Sequence, residues 1–161
     1  MLLRERSHVE TLMIKRAERQ GDPWSGQVAF PGGRREPSDD TPRDTAIRET
    51  REETGIDLIT NGTFLGYFGT FQTHTGTMLV IPCVFSLKKE VQIRSDEEVA
   101  SFKWVPLETF ASESARSVHT FKSNETTVKL PAFRYEDYLI WGLTHRIITT
   151  LFGEESEAES S

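Results

Sequence analysis

Residues 41–55 read TPRDTAIRETREETG, and the layout of the whole chain follows from them. Thr41 suits a helix N-cap, Pro42 the first helical position, and Asp44, three residues on, can return a hydrogen bond to the cap. Gly55 supplies a left-handed stop, so the stretch predicts a helix over 42–54. On that helix Ala46, Ile47, Thr50 and Thr54 make a small face for packing on a sheet. Asp44, Arg48 and Glu52 form a second row, four residues apart, able to share ion pairs. Glu49, Glu52 and Glu53 fall on one stripe, with Glu49 and Glu53 expected to face outward and Arg51 solvated. Like charges at these spacings cost an isolated helix roughly 0.2–0.5 kcal/mol per pair. A merely solvated face gains nothing from them.

Upstream, "HVETLMIKRA" (8–17) predicts a strand, followed by a loop dense in Gly, Pro, Asp and Ser. "QVAF" is a short strand that stops at Pro31-Gly32-Gly33. Downstream, "TFLGYFGTF", "MLVIPCVFSL" and "ASFKWVPL" predict strands, and residues 88–99 a polar connection between the last two. "PLETF" opens a short helical turn. Residues 118–137 read as a long polar connection with room for a short hairpin. "DYLIWGLTHRIITTLFG" (137–153) predicts a closing helix, because Leu139, Leu143, Ile147 and Leu151 recur at helical spacing and place Trp141 in the core. Strands with two separated helices imply an α/β fold whose mixed sheet is covered on both faces.

The chain of 161 residues, 36% hydrophobic and 27% charged, fits one domain, expected over 1–152. Its net charge is −6. Glu154, Glu155, Glu157 and Glu159 fall in an acidic tail, 153–161, expected to be disordered. Without the tail the balance is only mildly acidic, which argues against a nucleic-acid surface. A single cysteine, Cys83, allows no internal disulfide and suits a reducing cytosol. No apolar run approaches 18 residues and "MLLRERSHVE" lacks a signal-peptide core, so a cytoplasmic protein without a membrane partner is expected.

Three carboxylates on one stripe become favourable when a hard divalent cation joins them. Mg²⁺ takes oxygen ligands and usually bridges to substrate phosphates. The helix also follows a Gly-Gly loop whose backbone can approach a ligand closely. Together these features point to a phosphate-hydrolysing metal site. Arg34 and Arg35, directly after the Gly pair, are candidates for holding a phosphate or for simple solvation. Trp24 could stack on a base or anchor its loop. His74 reads as polar surface, and Ser25, Ser38 and Cys83 lack the setting of a covalent nucleophile.

Arg48-Glu49-Thr50-Arg51-Glu52-Glu53-Thr54-Gly55-Ile56 resembles the second half of the Nudix box, with Thr50 at an apolar position. In the first half, five residues after Gly33 lead to Asp39, and seven before Arg48 lead to Asp40, where the pattern has one Glu. "SGQVAFPGG" and "YLIWGLTHRII" are similar to segments of the coenzyme A diphosphatase subgroup, so the resemblance spans most of 12–152. It implies a Nudix-type α/β/α sandwich. It also implies Mg²⁺ or Mn²⁺ held by Glu49, Glu52 and Glu53, with Arg48 orienting them and Gly32 and Gly33 wrapping the site. The general base would be Glu49 first, with Glu97 or Glu98 of a later loop as alternatives. The implied reaction is hydrolysis of a diphosphate linkage in a nucleoside diphosphate derivative, coenzyme A or an acyl form foremost. ADP-ribose, other such derivatives or nucleoside triphosphates come next. A nucleotide-binding regulator without turnover is the reading from another class. A homodimer is left open.

Overall fold

The computed structural model describes residues 1–21, 24–74, 76–94, 96–123 and 126–153. Residues 154–161 of the expected acidic tail, with Glu154, Glu155, Glu157 and Glu159, lie outside them.

The central strand is β2 (Val9–Arg16). Strand β8 (Val99–Pro106) pairs with it antiparallel along one edge. The other edge is shared by β1 (Leu2–Glu5) and β3 (Val28–Ala29), both antiparallel to β2. Strand β7 (Cys83–Leu87) lies parallel to β1, and β4 (Gly62–Tyr67) pairs antiparallel with β7, so the sheet is mixed. Successive residues of β2 serve opposite faces. Leu12 joins Leu2, Ile56, Leu58 and Phe85 in one cluster, roofed by Ala46 and Ile47 of helix α1 (Pro42–Thr54). Met13 joins Val105, Phe110, Phe133, Tyr138, Ile140 and Ile148 in another. That second face is covered by helix α3 (Gly142–Leu151) and a three-stranded antiparallel sheet of β9 (Arg116–Ser123), β10 (Thr126–Tyr135) and β11 (Tyr138–Trp141). A short helix α2 (Leu58–Asn61) adjoins α1, and β5 (Phe71–Gln72) and β6 (Leu79–Val80) form a separate hairpin. The α/β class with a mixed sheet covered on both faces is therefore as expected.

Helix α1 has the expected bounds. Thr41 accepts from the Asp44 N–H, Asp44 returns a bond to the Thr41 N–H at 2.9 Å, and Gly55 sits at φ 71°. Three expectations need correction. The connection over 118–137 is an extended hairpin, β9–β10, whose register runs from Thr126↔Ser123 to Phe133↔Arg116. Residues 138–141 of the expected closing helix are strand β11, and the helix starts at Gly142, whose φ of 63° breaks the run. Trp141 is consequently only half-buried, stacked on His119 at 4.1 Å between ring centroids. Strand β1 had no expectation in the sequence.

Candidate functional site

The loop from β3 to α1 carries Gly32 and Gly33 directly over the acidic stripe. The Gly32 N–H donates to Glu53 Oε2 at 2.9 Å. Gly33 lies so close to Glu49 that a Cβ built on it would stand 2.5 Å from Glu49 Oε2. Only a residue without a side chain lets the loop close down this far.

Arg48 holds that loop in place. Its guanidinium makes a two-pronged contact with Asp39, Nε to Oδ1 at 3.2 Å and Nη2 to Oδ2 at 2.8 Å. It also donates to the Arg34 carbonyl at 2.9 Å, to Glu49 Oε1 at 2.9 Å and to Glu52 Oε2 at 3.3 Å. A planar fork with five donors suits this many acceptors. Asp39, rather than Asp40, is the early acid. It is buried, accepts the Glu36 N–H at 2.9 Å, and its carboxyl is held well below the usual range chiefly by the Arg48 hydrogen bonds. Asp44 does not join the expected row with Arg48, because its carboxylate is taken up by the Thr41 cap.

The three glutamates have different surroundings. Glu53 does not face outward: it is 3% exposed, and burial pushes its carboxyl up to about 7, with the neighbouring Glu49 and Asp96 adding to the rise. Glu49 is also raised, first by burial. Glu52 is 56% exposed at its side chain and turns toward an open groove of about 640 Å³ on the outer side of α1, lined also by Asp44, Arg48, Arg51 and Ile59. Among the described residues, no three acidic, histidine or cysteine side chains gather closely enough to hold an ion as they stand. The pair Glu49–Glu53 is nevertheless chemically suited to a hard divalent cation. It offers only oxygen donors, and a cation would relieve two carboxylates destabilised by burial beside each other. Glu52 would join by a change of rotamer that gives up Arg48.

Arg35 closes its own loop, donating to the carbonyls of Asp39 and Asp40 at 2.9 and 3.2 Å. Arg34 is exposed, with its guanidinium over Trp24. Of the later acids, Glu98 pairs with Arg19 at 3.0 Å and Glu97 is exposed. The loop's acid that bears on Glu53 is Asp96. Arg16, at the end of β2, reaches to 3.9 Å from Glu53 Oε1. Neither Asp96 nor Arg16 was a candidate from the sequence, where both lie far from the box and carry no local signal. His74 is exposed at the tip of the β5–β6 hairpin, and Cys83 is buried with its thiol pushed up by burial, which leaves no thiolate nucleophile.

A NUDIX domain family model matches residues 1–123. The chain is similar to an uncharacterized Nudix hydrolase NudL of Photorhabdus laumondii, 33% identical over 142 residues that cover 88% of this chain and 75% of that protein. A NudL of Yersinia pestis is 32% identical over 142 residues, covering 88% and 70%. Among solved structures, a C. elegans Ap4A hydrolase binary complex has a TM-score of 0.56 at 23% identity, covering 66% of this chain and 76% of that one. A Nudix hydrolase from M. smegmatis, RenU, has a TM-score of 0.57 at 21% identity, covering 69% and 70%. At these identities the two structures are likenesses of fold.

Proposed function

Because the chain belongs to the Nudix hydrolase family, we propose that it hydrolyses the diphosphate linkage of a nucleoside diphosphate derivative. Coenzyme A or an acyl form is the preferred substrate, on the likeness of "SGQVAFPGG" and "YLIWGLTHRII" to the coenzyme A diphosphatase subgroup. The observation that carries the reading is the pairing of Glu49 and Glu53 beneath Gly32 and Gly33. It sets two desolvated carboxylates beside a glycine loop whose backbone, free of side chains, can approach a phosphate closely.

Members of this family generally use divalent metal ions. Glu49, Glu53 and a reoriented Glu52 would hold Mg²⁺ or Mn²⁺, which when bound would supply Lewis-acid polarisation of a phosphoryl oxygen and a more acidic water. The chain's own residues do the rest. Arg48, anchored on Asp39, fixes both the helix carboxylates and the loop above them, so that the reacting phosphorus and the acids keep one geometry. Glu53, bonded to the Gly32 N–H, holds that loop against the helix. Glu49 is the more open of the pair, 16% exposed at its side chain against 4% for Glu53, and takes the proton of the attacking water. Arg34, at the rim, pairs with a substrate phosphate.

The test is a panel of coenzyme A, acetyl-coenzyme A, ADP-ribose, NADH and nucleoside triphosphates with Mg²⁺ or Mn²⁺, with products identified by mass. Cleavage between the two phosphorus atoms of coenzyme A is expected. Turnover of ADP-ribose or triphosphates alone would move the assignment to the second substrate group. No turnover of any member, with binding retained, would favour the regulator reading.

A further inference from the structure

Trp24 belongs to none of the core clusters among the described residues and is 41% exposed. The Arg34 guanidinium lies over its ring, 5.6 Å from the centroid. Both residues are positioned through their neighbours or backbones. The Gln27 N–H donates to the Trp24 carbonyl at 3.2 Å, and the Arg19 N–H to Ser25 Oγ at 2.9 Å. The Arg34 carbonyl is fixed by Arg48 at 2.9 Å. Arg34 directly follows the two glycines that cover Glu53 and Glu49. An aromatic face and a cation thus stand together, the cation on the loop that Gly32, Gly33 and Arg48 tie to the acid pair.

We propose that Trp24 and Arg34 form the subsite for the nucleoside 5′-phosphate half of the substrate. The base stacks on the indole in place of the guanidinium, and Arg34 swings to the phosphate beside it. This deepens, and rests on, the reading of the substrate as a nucleoside diphosphate derivative. The indole face over which the guanidinium lies, 5.6 Å from the centroid, is the face on which a base would stack. The exchange is downhill at each end: base stacking on an aromatic ring is stronger than an exposed cation–π contact, and an Arg–phosphate bond is charge-assisted. In this arrangement the base would lie outermost, the phosphate next, and the scissile linkage toward Glu49 and Glu53.

The experiment uses AMP, adenosine and ribose 5-phosphate as probes without metal, read by tryptophan emission and by calorimetry. AMP is expected to quench the wild type but not Trp24→Phe, in which Trp104 and Trp141 still emit, while the phenyl ring retains most of the affinity. Trp24→Leu should weaken AMP about tenfold or more. Arg34→Gln should weaken AMP and ribose 5-phosphate but not adenosine, whose base no longer has a guanidinium to displace. Equal quenching of wild type and Trp24→Phe, undiminished AMP binding by Trp24→Leu, or no AMP binding by the wild type would each overturn the assignment. If Trp24→Leu does not fold, the Trp24→Phe comparison still decides. A wild type that hydrolyses coenzyme A at a rate Trp24→Leu leaves unchanged defeats this subsite and spares the proposed activity. AMP bound through Trp24 with no hydrolysis of any substrate supports the subsite and defeats the activity.

Discussion

Gly33→Ala separates placement of Glu49 from stability of the fold. The added methyl would stand 2.5 Å from Glu49 Oε2, where ordinary contact begins near 3.4 Å, so the carboxyl must retreat by about 1 Å. It can do so, because it is the far end of a flexible side chain. Gly33 is not in the left-handed region, so alanine meets no backbone strain. Stability gains about 0.4–1 kcal/mol from a stiffer unfolded chain. It loses roughly 0–1 kcal/mol from the Arg48–Glu49 contact. The net is near zero, and Tm should move by no more than about 3 °C. A displacement of about 1 Å at a reacting group costs on the order of 100-fold in rate. The barrier therefore rises by about 2.7 kcal/mol. The assay pairs thermal melting with initial rates of coenzyme A hydrolysis in Mg²⁺, resolved into kcat and KM. A loss confined to kcat with Tm unchanged is expected. A rate within about twofold of wild type would show that the place of Glu49 is irrelevant. A fall in Tm beyond about 10 °C would show that the loop, rather than the acid, needs the glycine.

Asp39→Asn should lower Tm at pH 7 and flatten its acid limb. A carboxyl held low in the fold contributes stability above its unfolded pKa of about 3.9, and that contribution fades as pH falls through the lower folded value. Melting curves of both proteins from pH 7 to pH 2.5 check this, and parallel curves would contradict it. Glu53 has the opposite sign. Its carboxyl is raised to about 7 by burial, so its cost is absent at low pH and grows as pH climbs from the unfolded value toward the folded one. Metal-free Glu53→Gln should therefore melt above wild type at pH 8 and match it at pH 4. Mg²⁺ should raise the wild-type Tm more at pH 8 than at pH 6, because proton and cation compete for the same carboxyl. Thr41→Ala removes the cap hydrogen bond and should cost about 1 kcal/mol. That is a fall of roughly 2–4 °C in a scanning measurement, with kcat unchanged.

What could be read from the sequence was local chemistry. Thr41, Pro42, Asp44 and Gly55 announce α1 to the residue because Thr41, Asp44 and Gly55 each satisfy a helix-end group within their own turn, while Pro42 lacks the N–H that would need a partner there. Strand β1 escaped notice because Leu2 and Leu3 are followed by charged residues, and its order comes from pairing with β2 and β7 far along the chain. "YLIW" passed for helix because Leu139 is in phase with Leu143. Gly142, with its positive φ, ends that phase, and β11 then pairs with β10. The β9–β10 hairpin alternates polar residues on a largely exposed ribbon, which leaves little hydrophobic period to detect. At the site, the glutamates and Arg48 were legible by spacing, and the choice between Asp39 and Asp40 was not. Arg48 settles it by folding the loop so that Asp39 points in. The inward turn of Glu53 was also hidden, since its partners are the Gly32 N–H across the loop and Arg16 from another strand.

The most direct measurement is the Mg²⁺-dependent release of products from the diphosphate panel by wild type and Glu53→Gln, with folding of both verified by melting. The account predicts turnover by wild type that needs the metal and falls by at least about 100-fold in the variant. Equal rates for the two proteins, or a wild-type rate indifferent to Mg²⁺, would contradict it.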